Sequence, residues 1–180
     1  ARGYPYAPHW EGPGAYRPSL DRLIGLVGLL AWQGVRHPWL EQAAPACLKL
    51  ALETPFRDAH TILTAFCLAE SAPPEQGAAL FEKLAGELAR ADFFSLAAPV
   101  QGYALNPLHF APTPASACRR LFADAVIAAH LDDLEAQQEE DGGWPIQWTP
   151  PGPAARLEWR ADRTASALAA LRAYGRIQAG

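Results

Sequence analysis

Apolar residues recur every three to four positions along most of the chain, which is the spacing that keeps one face of an α-helix apolar. This pattern predicts helices over residues 18–33, 38–52, 58–70, 75–91, 115–138 and 157–176. Gly34 is predicted to end the first helix, and Pro45 to kink or split the second. The fifth predicted segment is either one continuous helix or two helices with a break near Phe122. No segment alternates apolar and polar residues long enough to predict a strand. The pattern therefore indicates an all-α protein.

Three segments lack the helical period and are predicted to be loops, namely residues 1–17, 92–114 and 142–157. Glycine, proline and aromatic residues are frequent in them. A loop as long as 92–114 in a compact domain is usually functional or disordered, and its aromatic residues favour a packed, functional loop. We expect the three loops to gather at one mouth of the molecule and to hold a ligand there.

The segment from Leu121 to Trp148 is predicted to form a helix, a glycine stop and an aromatic loop. It contains the pattern Q-x-x-D-G-G-W, formed by Gln138, Asp141, Gly142, Gly143 and Trp144. The pattern resembles the repeat of squalene and hopene cyclases, and related repeats occur in the β subunits of protein prenyltransferases. The resemblance implies antiparallel helix hairpins that form part or all of an α/α toroid, with Trp144 packed between helix pairs.

Three shorter segments, residues 4–10, 58–61 and 144–151, are similar to a set of bacterial toroid proteins. A weak internal repeat agrees with such an array, because residues 56–61 and 159–164 share an aromatic residue, an arginine and a threonine at the same offsets. Each of the two is predicted to open an apolar helix. We expect residues 1–180 to form a single domain, either a whole toroid or the C-terminal part of a larger one. In the second case, self-association or an N-terminal half would complete the ring.

Asp58, His60 and His109 are the candidates for proton transfer. Asp58 stands at a predicted helix start, where its carboxylate could cap free backbone N–H groups. It could instead orient His60 as a general acid or base, since an imidazole titrates near neutral pH. Residues two positions apart on a helix do not face each other, so this pairing requires non-helical geometry. Passive lining of a pocket is the third interpretation.

A second set of residues, mostly aromatic and mostly in loops, is expected to line a ligand pocket. The set comprises His9, Trp10, Tyr103, Trp148, Trp159 and Arg160. Aromatic rings at these positions either hold helix pairs together or line a hollow that suits an apolar or cationic ligand. The resemblance to terpenoid cyclases implies an apolar or isoprenoid small molecule.

No cofactor or metal is expected. Prenyltransferases bind zinc through an aspartate, a cysteine and a histidine, which Asp58, Cys67 and His60 resemble. His60 and Cys67 are seven residues apart on one predicted helix, hence about 10 Å along its axis, too far to share an ion. Asp58 or His60 paired with His9 or His109 is the remaining alternative, although no such pair has a recognised ligand spacing.

The acid motif D-x-D-D of protonation-type cyclases is absent, because the chain has only Asp132 and Asp133 on a predicted solvated face. The aspartate-rich metal motif of ionisation-type terpene synthases is absent as well. These departures favour a toroid protein that acts as a ligand-binding or interaction module without catalysis. The alternative is a divergent isoprenoid cyclase-like enzyme that uses Asp58 and His60, or His109, for proton transfer.

Composition excludes some classes of binding partner and of cellular location. The net charge is −4 with no basic run, which argues against nucleic acid. The most apolar run, Leu23 to Trp32, is too short to span a bilayer. The three cysteines are odd in number and match no disulfide or zinc spacing, so a reducing compartment, the cytoplasm, is expected.

Overall fold

A computed structural model describes residues 20–178 and shows helices and loops in that range, with no strand. The α-helices are α1 (Leu20–Trp32), α2 (Pro38–Glu53), α3 (Ala59–Ser71), α4 (Pro74–Leu88), α5 (Pro107–Phe110), α6 (Asp124–Ala136) and α7 (Pro153–Ala173). A 3-10 helix over Ala117–Leu121 precedes α6. The all-α prediction is thus confirmed for this part of the chain.

Several helix boundaries differ from the predicted ones, and two of the differences have a clear physical reason. Helix α6 ends at Ala136, before Gly142, because the chain must turn back early for Trp144 to pack against α6. Helix α7 begins at Pro153 and not at residue 157, since a proline in the first turn loses no intrahelical hydrogen bond. Residues 159–164 therefore lie inside α7, so the second copy of the internal repeat does not open a helix.

The predictions made from Pro45 and Phe122 have different outcomes. Helix α2 runs through Pro45 without being split. Phe122 does mark a break, because it caps the end of the 3-10 helix in an extended conformation before α6 begins.

The first four helices pack against one another, with α1 against α3 and α2, and α4 against α3 and α2. Close approach of α1 and α3 depends on Gly28, where an added Cβ would lie 2.7 Å from the backbone nitrogen of Leu68. Leu, Ile and Phe side chains of these helices form a core that continues without interruption into the C-terminal elements.

Phenylalanine rings connect the first four helices to the rest of the chain. The ring of Phe110 lies 6.1 Å from Phe66 on α3 and 5.5 Å from Phe94, which lies in the loop that follows α4. Phe94 also contacts Phe122. This loop is held at the start of α3 by a backbone bridge, in which Asp92 accepts a hydrogen bond from Ala59 and donates one to Arg57. The bridge places the 92–105 segment beside the residues that precede α3.

None of the helices within residues 20–178 combines the length and the hydropathy needed to cross a bilayer. Cys47, Cys67 and Cys118 are free thiols.

Candidate ligand-binding site

Five aromatic side chains form a continuous surface, the aromatic patch, which consists of His60, Phe93, Tyr103, Trp148 and Trp159. The rings of His60 and Tyr103 are nearly parallel with centroids 5.7 Å apart, and Trp148 meets Tyr103 edge-on at 6.1 Å. Trp159 adjoins Trp148 at 5.4 Å, and Phe93 lies 6.2 Å from His60. The exposed fractions of Phe93, Tyr103, Trp148 and Trp159 are 54, 45, 38 and 48%. The patch is therefore packed within itself and open to solvent.

Four separate segments bring these rings together: the first turn of α3, the loop of residues 92–105, the loop after the Q-x-x-D-G-G-W motif, and α7. Phe93 has a left-handed backbone conformation, with φ of 59°, which is unfavourable for a residue with a side chain. Backbone hydrogen bonds from Leu105 to Phe93 (2.8 Å) and from Ser95 to Leu105 (2.9 Å) hold this turn. An exposed phenylalanine in a strained conformation is a feature of functional loops.

Asp58 both caps α3 and contacts His60. Its Oδ1 accepts hydrogen bonds from the backbone nitrogens of His60 and Thr61 at 2.9 and 3.1 Å, and the same oxygen lies 3.3 Å from Nδ1 of His60. The extended backbone of Asp58 (φ −97°, ψ 127°) is the non-helical geometry that the pairing requires. The two interpretations of Asp58 are therefore compatible.

His60 extends this contact to Tyr103. Its Nε2 lies 2.7 Å from the phenolic oxygen, so Asp58, His60 and Tyr103 form one chain of polar contacts along the edge of the patch. Burial, and next the negative charge of Asp58, raise the pKa of Tyr103. The phenol is consequently protonated at neutral pH and can exchange a hydrogen bond with the imidazole.

Trp144, the last residue of the motif, is 1% exposed and joins α6 to α7. Its indole Nε1 donates to the carbonyl of Leu134 at 2.7 Å, and its backbone nitrogen donates to Thr164 on α7 at 3.1 Å. Gly142 adopts a left-handed conformation with φ of 82°, and its carbonyl accepts a hydrogen bond from the side chain of Gln138. These residues build the turn between α6 and α7.

Arg160, predicted as a pocket residue, binds the same turn. Its guanidinium forms ion pairs with Asp141 and Glu139, and a Cβ at Gly143 would lie 2.6 Å from its Nη2. The hydrogen bond from Arg160, and next that from the backbone of Gly143, lower the pKa of Asp141 to about 2. Arg160 thus links α7 to the motif turn through these ion pairs. It also borders an open groove of about 420 Å³ that runs along α7 beside Leu157 and Leu168.

His109 lines a cavity of about 210 Å³ that also includes Asn106 and Arg163, and neither Asp58 nor His60 lines it. Its Nδ1 is 3.1 Å from the backbone nitrogen of Asn106, which caps the single-turn helix α5. Burial, and next the positive charge of Arg163, lower the pKa of His109 to about 4. Within the described residues, His109 makes no hydrogen bond to the Asp58–His60 pair.

Among the predicted site residues, the structure brings together Asp58, His60, Tyr103, Trp148 and Trp159, whereas His109 lines the cavity with Arg163 and Arg160 binds the motif turn. His9 and Trp10 fall outside the described residues. Sequence reasoning missed Phe93 as a member of the patch and Arg163 as a member of the cavity. A signal for Arg163 did exist, because it occupies the position of His60 in the internal repeat.

Between residues 20 and 178, no group of three or more histidine, cysteine, aspartate or glutamate side chains could hold a metal ion. No protein-family model, no curated protein and no solved structure matches the chain.

Proposed function

We propose that this protein is a ligand-binding module whose aromatic patch holds an apolar small molecule of isoprenoid type. The observation that carries the proposal is the contact of five aromatic side chains, from four separate segments, on an open surface. Contiguous exposed apolar surface of this kind is characteristic of binding sites, because its exposure to water is unfavourable in the free protein.

The expected affinity is modest. A ligand that covers about 300 Å² of apolar surface gains roughly 7 kcal/mol from burial, before the entropic costs of association. Two tryptophans at one end of the patch, Trp148 and Trp159, offer the largest ring faces and should contribute most. Association costs at least about 4 kcal/mol, so about 3 kcal/mol remains, which corresponds to a dissociation constant of roughly several millimolar.

The test is a calorimetric titration with geraniol, a short isoprenoid alcohol, at fixed salt and pH. Trp148→Ala and Trp159→Ala should each weaken binding about tenfold, because each removes one stacking surface. Trp32→Ala is the matched control, since Trp32 is 56% exposed on α1 and does not belong to the patch. Equal binding by all three variants would exclude the patch as the site.

A cationic ligand is the other outcome of this experiment. Ring faces attract cations, and Asp58 adds a carboxylate at the edge of the patch. Saturable binding of benzyltrimethylammonium, tighter than that of geraniol and weakened by Asp58→Asn, would replace the apolar ligand with a cationic one.

For the architecture, we propose that the helices belong to an α/α toroid. The support is the packing of alternate helices, α1 with α3 and α2 with α4, which is how stacked hairpins build two layers. We further propose that a second copy completes the ring. Sedimentation should then give twice the 19.4 kDa mass of one chain, whereas a monomer at all concentrations would contradict completion by a second copy.

The second candidate function is proton transfer to an isoprenoid, and the Asp58–His60–Tyr103 chain favours it. About two fifths of the Asp58 and His60 side chains is exposed, so water has access to these groups and the binding function is preferred. The test is incubation with geraniol, followed by mass spectrometry of the products. Turnover by the wild type and its loss in His60→Gln would establish catalysis, and an unchanged substrate would exclude it for this compound.

A further inference from the structure

The cavity beside His109 contains a cationic side chain that makes no close ion pair with the described residues. Arg163, on α7, lines this space of about 210 Å³ and makes no ion pair within 4 Å, and no side-chain hydrogen bond, with any residue between 20 and 178. The Asp133 carboxylate acts on Arg163 from a greater distance, and it accepts a hydrogen bond from Gln137 at 2.8 Å. A partly buried guanidinium is stabilised when its donors find acceptors. Among residues 20–178 the buried polar side-chain atom without a partner is Nδ1 of His130, so the Arg163 donors are open to solvent and to a ligand.

The neighbouring imidazole offers a second donor. His109 Nδ1 lies 3.1 Å from the backbone nitrogen of Asn106 and 2.9 Å from its side-chain oxygen, and that oxygen already accepts from the backbone of Leu108. Because a backbone N–H can only donate, Nδ1 carries the lone pair in this arrangement. The hydrogen of the neutral ring is then on Nε2, for which the described residues provide no acceptor.

The rest of the lining is mostly apolar. It consists of Leu108, Pro112, Leu134, Ala167 and Ala170, with Asn106 and Ser166 as further polar residues, and the space is too small for a large organic molecule. The Asp133 carboxylate does not line the cavity, so the lining carries one permanent positive charge, neutral polar groups and a mostly apolar wall. This combination matches a monoanion with a short hydrocarbon chain. The planar fork of an arginine also suits the two oxygens of a carboxylate better than a point charge does.

We propose that Arg163 and His109 form a binding site for a small carboxylate, with the carboxylate on the guanidinium and the hydrocarbon chain against the leucine and alanine walls. This site is separate from the aromatic patch and does not depend on the function proposed for it. The two proposed sites can fail independently, because the patch is tested by geraniol binding and this site by binding of an organic acid.

The test is an NMR titration of the protein with butyrate, observed through the ring signals of His109. Butyrate should give saturable shifts, while its uncharged isostere butyramide should give none. Arg163→Gln should weaken butyrate binding at least about tenfold, because it removes the charge and the fork. Arg172→Gln is the matched control, since Arg172 is exposed near the end of the same helix and should leave binding unchanged.

Arg163→Lys covers the case in which Arg163→Gln does not fold, because it keeps the charge and should bind with intermediate affinity. The absence of saturable shifts with butyrate, equal shifts with butyramide, or equal losses in the two glutamine variants would overturn the proposal. Tighter binding of inorganic phosphate than of butyrate would overturn the assignment to a carboxylate.

Discussion

At the scale of single residues, His109 is held in one protonation state by its surroundings. Its Nδ1 caps the backbone of Asn106, and burial, followed by the charge of Arg163, lowers the pKa of His109 to about 4. The ordinary value is 6.5, so the unfolded chain binds a proton at this position at a higher pH than the folded one. Protonation therefore favours unfolding.

We expect the stability contributed by neutral His109 to be complete above about pH 6.5 and to be lost as the pH falls towards 4. Over that range the free energy of unfolding should decrease by about 2 to 3 kcal/mol because of this residue alone. Urea unfolding at pH 7 and pH 4.5 measures the change, and His109→Gln should reduce it by that amount. An equal pH dependence in the two proteins would contradict the assignment.

At the scale of elements, the contact of α1 with α3 means that a side chain added at one helical glycine would clash, whereas one added at a second helical glycine would not. A Cβ at Gly28 would lie 2.7 Å from a backbone atom of α3, which cannot move without displacing the helix. A Cβ at Gly86, on the surface of α4, would meet nothing within 4 Å. Alanine is favoured over glycine in helices by up to about 1 kcal/mol, so only packing distinguishes the two positions.

Gly28→Ala should lower the free energy of unfolding by at least about 2 kcal/mol, because overpacking outweighs the gain in helix propensity. Gly86→Ala should raise it by up to about 1 kcal/mol. Chemical denaturation of both variants measures the difference. Stabilisation by Gly28→Ala would show that α1 and α3 are farther apart than described.

The existence of the long helices was predictable from the sequence, whereas the short helix α5 inside the predicted loop and several boundaries were not. The apolar period of α1 to α4 reports which face is buried, and Asp58 before α3 is a local capping signal. The end of α6 depends on a tertiary contact, the hydrogen bond of the Trp144 indole to Leu134, for which no local pattern exists. The start of α7 carries a local signal, Pro153 after Gly152, but no apolar stripe supports it.

At the scale of the whole molecule, the phenylalanine contacts make one core of the first four helices and the C-terminal elements. Phe110 is 4% exposed and touches both Phe66 and Phe94. Phe93 precedes Phe94 in the same loop, yet it is 54% exposed and belongs to the patch. The two halves of the chain should accordingly unfold together in one transition.

Phe110→Ala should lower the free energy of unfolding by about 3 to 5 kcal/mol, because it leaves a cavity in the shared core. Phe93→Ala should change it by less than about 1 kcal/mol while weakening geraniol binding. Thermal unfolding and the geraniol titration together separate these effects. A biphasic transition in the wild type would contradict the single core.

The composition of the patch was predictable in part. Tyr103, Trp148 and Trp159 are large side chains in regions predicted to be loops or helix ends, where rings often have a binding role, and His60 follows a capping aspartate. Phe93 could not be placed, because its contact with His60 follows from the backbone bridge between Asp58 and Asp92. The contact of Arg160 with the motif turn was not predictable, since its ion pair with Asp141 spans 19 residues.

The most direct test of the proposed binding site is the spectrum of the tryptophan indole N–H groups during titration with geraniol. Five of the six tryptophans lie between residues 20 and 178, and of these five Trp148 and Trp159 belong to the patch. The signals of these two should shift together and saturate, while those of exposed Trp32 and Trp39 and buried Trp144 stay in place. Shifts at Trp32 or Trp39 without shifts at Trp148 and Trp159 would contradict the aromatic patch as the binding site.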